Sequence, residues 1–204
     1  MINIMNVVQI GANRGNDELT EIIRNSDKKI NFLLLIEPMK KFNDSLLICY
    51  NEIENLAIEN LAIVQDPTIK STIFYLHKSM DDNIEQASLN RSHIDKVFDR
   101  PEYTSSGLSH DNQIIEIDVA CSDINSLLDK YNLLDIDILF IDAEGSDDSI
   151  IKSIDFEIFN IKKIYYENMH INNGELELFL MNKGYYVTKG TPYTIHNNIA
   201  IKKS

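Results

Sequence analysis

Tryptophan is absent from this 204-residue chain, and glycine, proline and cysteine are scarce, at 7, 4 and 2 residues. No Pro-, Gly- or Ser-rich linker divides the sequence, and its length suits one compact domain with a substantial core, so a single domain over residues 1–204 is expected. The two cysteines, Cys49 and Cys121, lack metal-ligand spacing, and a domain of this size does not need a disulfide between them, so reduced thiols are expected. Basic residues are also under-represented. With 19 Lys and Arg against 32 Asp and Glu the net charge is −13, which repels phosphate backbones and anionic lipid head groups. No run of Lys and Arg offsets it locally, so neither a nucleic acid nor a membrane is an expected partner. Long apolar runs are missing too. The longest, Phe32 to Ile36, falls far below the roughly 20 residues that cross a bilayer, and no basic segment precedes an apolar one at the N-terminus. A cytoplasmic location is the resulting expectation. The 44% of apolar residues is nevertheless ample for a globular core.

What is present is an alternation of short apolar runs with segments of helical spacing, the pattern of a parallel sheet covered on both faces by helices. Met5 to Ile10 reads as a strand, Asp17 to Arg24 as a helix, and Phe32 to Ile36 as a strand stopped by Glu37-Pro38. Lys40 to Glu54 reads as a second helix and Leu61 to Val64 as the third strand, ended by Gln65-Asp66-Pro67. A tandem pentapeptide, ENLAI at Glu54–Ile58 and again at Glu59–Ile63, is too short to announce a repeat protein, whose periods begin near 20 residues. Ser71–Leu76 and Ile114–Val119 are β-rich and pair as an extra β element. They leave a polar excursion, about residues 77–113, that reads as a lid or acceptor loop. Ser79, Ser88, Asn90, Arg91, His93, Arg100, Tyr103 and His110 lie in it, and their chemistry suits a polyhydroxylated acceptor. The second half continues with a helix at Ile124–Tyr131, an apolar strand at Ile136–Ile141, a helix from Ser146, a strand at Lys162–Tyr166 and a helix at Glu175–Met181. Tyr185–Lys189 and Asn198–Lys202 form a terminal antiparallel pair. The expected fold class is therefore α/β, a doubly wound Rossmann-like sheet.

Three segments carry chemistry. In Val7-Val-Gln-Ile-Gly-Ala-Asn-Arg-Gly-Asn16 a strand runs into a tight turn with Gly11 and Gly15, and glycine there lets the backbone approach a ligand closely. A dinucleotide site wants glycine at the third and sixth positions of that turn, where this chain has Asn13 and Asn16. A cofactor without phosphates has no such requirement. Glu37 ends the second strand roughly 20 residues after the turn, where a carboxylate accepts the hydroxyls of a ribose. The third segment, Ile138-Leu-Phe-Ile-Asp-Ala-Glu-Gly-Ser-Asp147, delivers Asp142 and Glu144 to the carboxyl edge of the sheet, where open α/β sheets bind their ligands.

Together, QIGANRG, LLLIEP, FIDAEGSD and YYENMH followed by NKGYYV resemble, in order and spacing from about Val7 to Ile201, the FkbM family of methyltransferases. The resemblance implies a sheet of about seven strands, the last antiparallel, with S-adenosylmethionine across the ends of the first strands. Gly11, Ala12, Asn13 and Gly15 would face its methionine part, Glu37 with Pro38 its ribose, and Ala62 to Asp66 its adenine. Asp142 would lie near its amino group or the acceptor. Two departures stand out: Gln9 replaces the acid that often precedes the turn, keeping a carbonyl able to meet the cofactor's ammonium, and Phe140 replaces a lysine often found before the Ile-Asp pair.

Methyl transfer to oxygen requires alignment of the acceptor with the methyl carbon and removal of its proton. Asp142, Glu144, Glu167 and His170 are the candidate bases, the Asp142/Glu144 pair first. A divalent cation on Asp142, Glu144 and Glu167 is compatible with their oxygen chemistry, but no dedicated metal spacing favours one. The expected function is thus O-methylation of a saccharide or other small-molecule hydroxyl. A nucleotide-binding oxidoreductase and a non-catalytic S-adenosylmethionine-binding module are the alternatives.

Overall fold

The computed structural model describes residues 4–77, 88–89, 91–98, 114–169 and 171–203. In chain order the described elements of the first half are β1 (Ile4–Ile10), α1 (Glu18–Arg24), β2 (Lys29–Ile36), α2 (Asn43–Cys49), β3 (Leu56–Glu59), β4 (Ala62–Ile63), β5 (Ser71–His77) and α3 (Arg91–Phe98). Then follow β6 (Ile114–Ser122), α4 (Ile124–Lys130), β7 (Asp135–Ile141), α5 (Asp147–Ser153), β8 (Asn160–Glu167), α6 (Asn173–Asn182), β9 (Tyr185–Thr188) and β10 (Asn197–Lys202).

The main sheet has seven described strands in the order β3-β2-β1-β7-β8-β10-β9. β1, β2, β3, β7 and β8 pair in parallel, and β10 runs antiparallel to both neighbours. The expected fold class and the antiparallel terminal pair are both present. The central strands read as continuous apolar runs because both faces are covered. In β2, Leu33 and Leu35 enter the cluster that holds Leu19 of α1 and Leu46 of α2. Leu34 and Ile36 enter the opposite cluster with Leu127 of α4, Ile150 of α5 and Leu176 of α6. Alternation along the strand thus feeds two helical layers.

Beyond β3 the chain leaves this direction of winding and later returns on the far side of β1 as β7, so strand order reverses between β1 and β7. That reversal opens a crevice outside their carboxyl ends, the place where open α/β sheets hold ligands.

Ser71–His77 pairs antiparallel with β6, as expected, but β4 joins them to make a three-stranded sheet. Here the strand expected at Leu61 to Val64 needs correction. The third strand of the main sheet is Leu56–Glu59, pairing with β2 from Leu33 to Ile36, whereas Ala62 and Ile63 pair with Cys121 and Ser122. The helix expected over Lys40 to Glu54 is shorter as well: a 3-10 turn at Lys40–Phe42 precedes α2, which ends at Cys49. Of the expected lid, residues 78–87, 90 and 99–113 lie outside the described residues, and with them Ser79, Asn90, Arg100, Tyr103 and His110, as does the side chain of His93. Ser88 exchanges backbone hydrogen bonds with Tyr75, and Ile94 of α3 is buried in a third cluster with Phe74 and Leu76. Cys49 and Cys121 are free thiols. Among the described residues no helix is long and apolar enough to cross a membrane.

Candidate active site

The site begins where β1 ends. Gly11 has φ +79° and Gly15 φ +76°, a backbone region open to glycine at little cost. The amides of Gly11 and Ala12 both donate to the Ile36 carbonyl at the end of β2, and Asp142 N donates to the Ile10 carbonyl. These bonds draw the ends of β1, β2 and β7 so close that a Cβ on Gly11 would lie 1.9 Å from the Asp142 carbonyl oxygen. At Gly15 it would meet Leu46 at 2.9 Å and Tyr50 at 3.0 Å. The two glycines therefore serve close approach of backbone to backbone and of turn to helix. Asn13 also sits at positive φ, 46°, beside them.

Behind the turn lies a buried polar network. Gln9 is fully buried, and its amide nitrogen donates to Asp17 Oδ2 at 2.5 Å while its carbonyl receives the Tyr50 hydroxyl at 3.4 Å. Asp17 Oδ1 accepts from Thr20 N and caps α1. The Thr20 hydroxyl and the Cys49 thiol both donate to the Gly15 carbonyl. Gln9 consequently does not line the crevice, contrary to the expectation that its carbonyl meets a ligand. Ala12 does not line it either, because its side chain enters the core with Val7 and Leu33.

In front of the turn is a cavity of about 480 Å³. Gly11, Asn13, Gly15, Glu37, Pro38, Ala62, Asp142 and Glu144 line it, so most of the residues expected from sequence to bind a cofactor meet in one place. Glu37 is held rigidly: Oε2 accepts from Asn13 N and Oε1 from Met39 N, each at 2.8 Å. Burial pushes its carboxyl above the usual range, while those two amides and Lys41 pull the other way. Each oxygen keeps a second lone pair for a ligand hydroxyl. Beyond Glu37 the wall turns apolar, with Phe42, Ile63, Phe74 and Leu89. The Arg14 guanidinium stands 5.3 Å over the Phe42 ring.

The opposite end of the cavity is acidic. Asp142 follows β7 directly, and Glu144 holds φ +48° in the turn beyond it. Asp142 is exposed on the cavity side, and the protein behind it still desolvates the carboxyl in part. That desolvation, followed by the charges of Glu144, Glu167, Asp147 and Asp17, pushes its carboxyl up to about 8. Burial and neighbouring charges, with no hydrogen bond from the described residues, set its titration. Asp147, fully buried, receives Ala143 N on Oδ2 and Glu167 N on Oδ1, tying the end of β7 to the end of β8. Burial pushes it up to about 7. Glu167 stands beside this group rather than on the cavity wall, pushed up to about 7 by burial and then by Glu144 and Asp147, and its Oε2 is buried with no hydrogen-bond partner among the described residues. His170 lies outside the described residues. Among the described residues no three His, Cys, Asp or Glu side chains are grouped to hold a metal ion, so Asp142, Glu144 and Glu167 do not form such a set.

Sequence reasoning missed Asp17 and, apart from Ile63 in the Ala62 to Asp66 stretch, the cavity's apolar wall. Asp17 reads from sequence as an ordinary first-turn acid, and only the fold of the turn aims it at the cavity.

One solved structure shares this fold. A solved methyltransferase FkbM from Methylobacillus flagellatus KT superposes with TM-score 0.53 and 14% identity, over 97% of this chain and 43% of that one. This chain therefore spans less than half of that protein's length. A precorrin-6y C5,15-methyltransferase from Geobacter metallireducens GS-15 aligns at TM-score 0.45 and 13% identity, over 99% of this chain and 83% of that chain. No curated protein matches the chain. The family model for the methyltransferase FkbM domain matches residues 9–187, from the end of β1 into β9, the stretch that holds the glycine turn, Glu37 and the acidic strand end, and the chain belongs to that family.

Proposed function

We propose that the chain is an S-adenosylmethionine-dependent methyltransferase that transfers a methyl group to a hydroxyl of a saccharide or another small acceptor. The observation that carries this reading is the chemistry of the cavity. Among its described lining residues stand four carboxylates, Asp17, Glu37, Asp142 and Glu144, against one cation, Arg14. Such a lining repels the pyrophosphate of a dinucleotide and attracts a cofactor that bears a sulfonium and an ammonium. The positively charged sulfonium supplies an electrophilic methyl group.

The rest falls to the chain's own residues. Glu37, fixed by two backbone amides, takes the ribose hydroxyls, and Phe42, Ile63, Phe74 and Leu89 cover the flat face of the base. The glycine turn brings backbone to the amino-acid end. At the β7 end the Asp142/Glu144 pair accepts the proton of the acceptor hydroxyl, with Glu167 behind it. In the ligand-free protein burial and the neighbouring acids raise the Asp142 carboxyl above the usual range. A cation held beside Asp142 would favour its ionised form, the form in which this side chain can accept the proton of the acceptor hydroxyl.

Calorimetric titration with S-adenosylmethionine and, separately, with NAD tests the assignment, comparing the native chain with Glu37→Ala. Saturable binding of S-adenosylmethionine alone is expected, weakened about 10- to 100-fold in the variant, as for loss of charge-assisted hydrogen bonds. Preference for NAD, or no binding of S-adenosylmethionine at millimolar concentration, sinks the reading. Transfer of labelled methyl to a panel of sugars and hydroxylated small molecules then tests the acceptor.

A further inference from the structure

Where the family resemblance implies an acid before the glycine turn this chain has Gln9, and the Gln9 side chain is hydrogen-bonded to an acid, Asp17. Gln9 grips Asp17 at 2.5 Å, and Asp17 lines the cavity although Gln9 does not. We infer that Asp17, oriented by Gln9, is the residue that receives the ammonium group at the amino-acid end of the cofactor. This inference rests on the S-adenosylmethionine reading above.

The order of groups along the sheet edge supports it. Glu37 ends β2, the turn with Asp17 follows β1, and Asp142 follows β7, so the three stand in strand order β2-β1-β7. A nucleoside anchored at Glu37, with its base toward Phe42 and Phe74, extends its other end over β1 and reaches Asp17 before Asp142. Asp17 is also the better prepared of the two. Thr20 N and the Gln9 amide each occupy one lone pair on its two oxygens, which fixes the carboxylate and leaves further lone pairs for a donor. Its hydrogen-bond donors among the described residues, the Gln9 amide and the Thr20 backbone, are neutral, so its charge is left for a ligand cation to meet. Glutamine at position 9 fits this role because a glutamate there would set two like charges in hydrogen-bond contact.

Asp17→Asn removes the charge and keeps the scaffold. Asparagine caps helices as well as aspartate does. If the Gln9 amide turns over, its carbonyl accepts from the new amide and its nitrogen donates to Tyr50, so every buried polar group keeps a partner. The probes are S-adenosylmethionine, S-adenosylhomocysteine and 5′-methylthioadenosine, which has the same nucleoside and sulfur but no amino-acid end. In the variant, binding of the first two is expected to weaken about ten-fold, as for loss of one charged hydrogen-bond partner, while methylthioadenosine binds within about two-fold of native. Retained methylthioadenosine binding also shows that the variant is folded. Equal weakening of all three ligands, or no weakening of S-adenosylmethionine, overturns the inference and leaves the cofactor reading standing. A native chain that binds none of the three overturns both.

Discussion

One strand carries an aspartate near each of its ends, and the two live in opposite environments. Asp137, near the start of β7, accepts from Lys162 Nζ at 2.8 Å, Lys28 Nζ at 3.4 Å and Asn6 N at 3.0 Å. Burial alone would raise its carboxyl, but these partners outweigh it and hold the group below the usual range. Asp142, just past the end of the same strand, has acids for neighbours and no hydrogen bond from the described residues, and is pushed up to about 8. Among the described residues the entry edge of the sheet pairs its aspartate with lysines, whereas the exit edge sets Asp142 among other acids. Instability concentrated at one edge of a well-packed fold is the usual compromise between a stable scaffold and a working site.

The contrast can be broken most severely at the exit end. Asp142→Asn is expected to lower methyl transfer about 100-fold or more, as for loss of a general base, while raising the thermal midpoint of the ligand-free protein by relieving repulsion. Parallel transfer assays and unfolding scans read both, and a variant that loses stability along with activity refutes the comparison. Next in size is Asp147→Ala, which strands the buried amides of Ala143 and Glu167. A loss of about 2–4 kcal/mol in denaturant unfolding is expected.

The two edges also predict opposite pH behaviour. Asp147 and Glu167, and to a lesser degree the solvent-screened Asp142, bind protons more tightly folded than unfolded, so the stability they lend is complete below the ordinary carboxylate range and is lost as pH rises through about 7 to 8. Asp137 is the reverse: its contribution is present above the ordinary range and is lost as pH falls below it. The thermal midpoint of the ligand-free protein should therefore decline from about pH 5 to pH 8.5, and Glu167→Gln should flatten that decline. A flat or rising native profile over this interval counts against the proposed acid cluster. The smallest effect belongs to Asp137→Asn. Its lysine partners are partly solvated, so a cost of about 1 kcal/mol is expected, with S-adenosylmethionine affinity unchanged by calorimetry.

Much of this site was legible in the sequence because it depends on local chemistry. Glycine at positions 11 and 15, Glu37 at a strand end and the Asp142/Glu144 pair are each specified within a few residues, and each lines the cavity. Gln9 and Ala12 were read as facing the ligand because a linear motif does not say which side of a turn a side chain takes. Asp17 and Asp147 were passed over for a related reason. Both look like first-turn acids, and their partners, Gln9 for one and Glu167 N for the other, come from neighbouring strands.

The tandem pentapeptide marks the boundary between what the sequence by itself determined and what only the tertiary structure decided. Composition, the apolar alternation and the spacing of the motifs determined an α/β sheet with an acidic ligand edge. The two copies of ENLAI have one sequence and therefore one propensity, yet Leu56–Glu59 pairs with β2 in the main sheet and Ala62–Ile63 with β6 in the small one. β-propensity measures fitness for a pleated, half-buried surface, not a choice of partner. The choice follows from what each copy meets. The first reaches the free edge of β2 and covers Leu33 to Ile36, and the second is carried past that edge, where Cys121 and Ser122 present the next open strand and Ala62 closes the cavity wall.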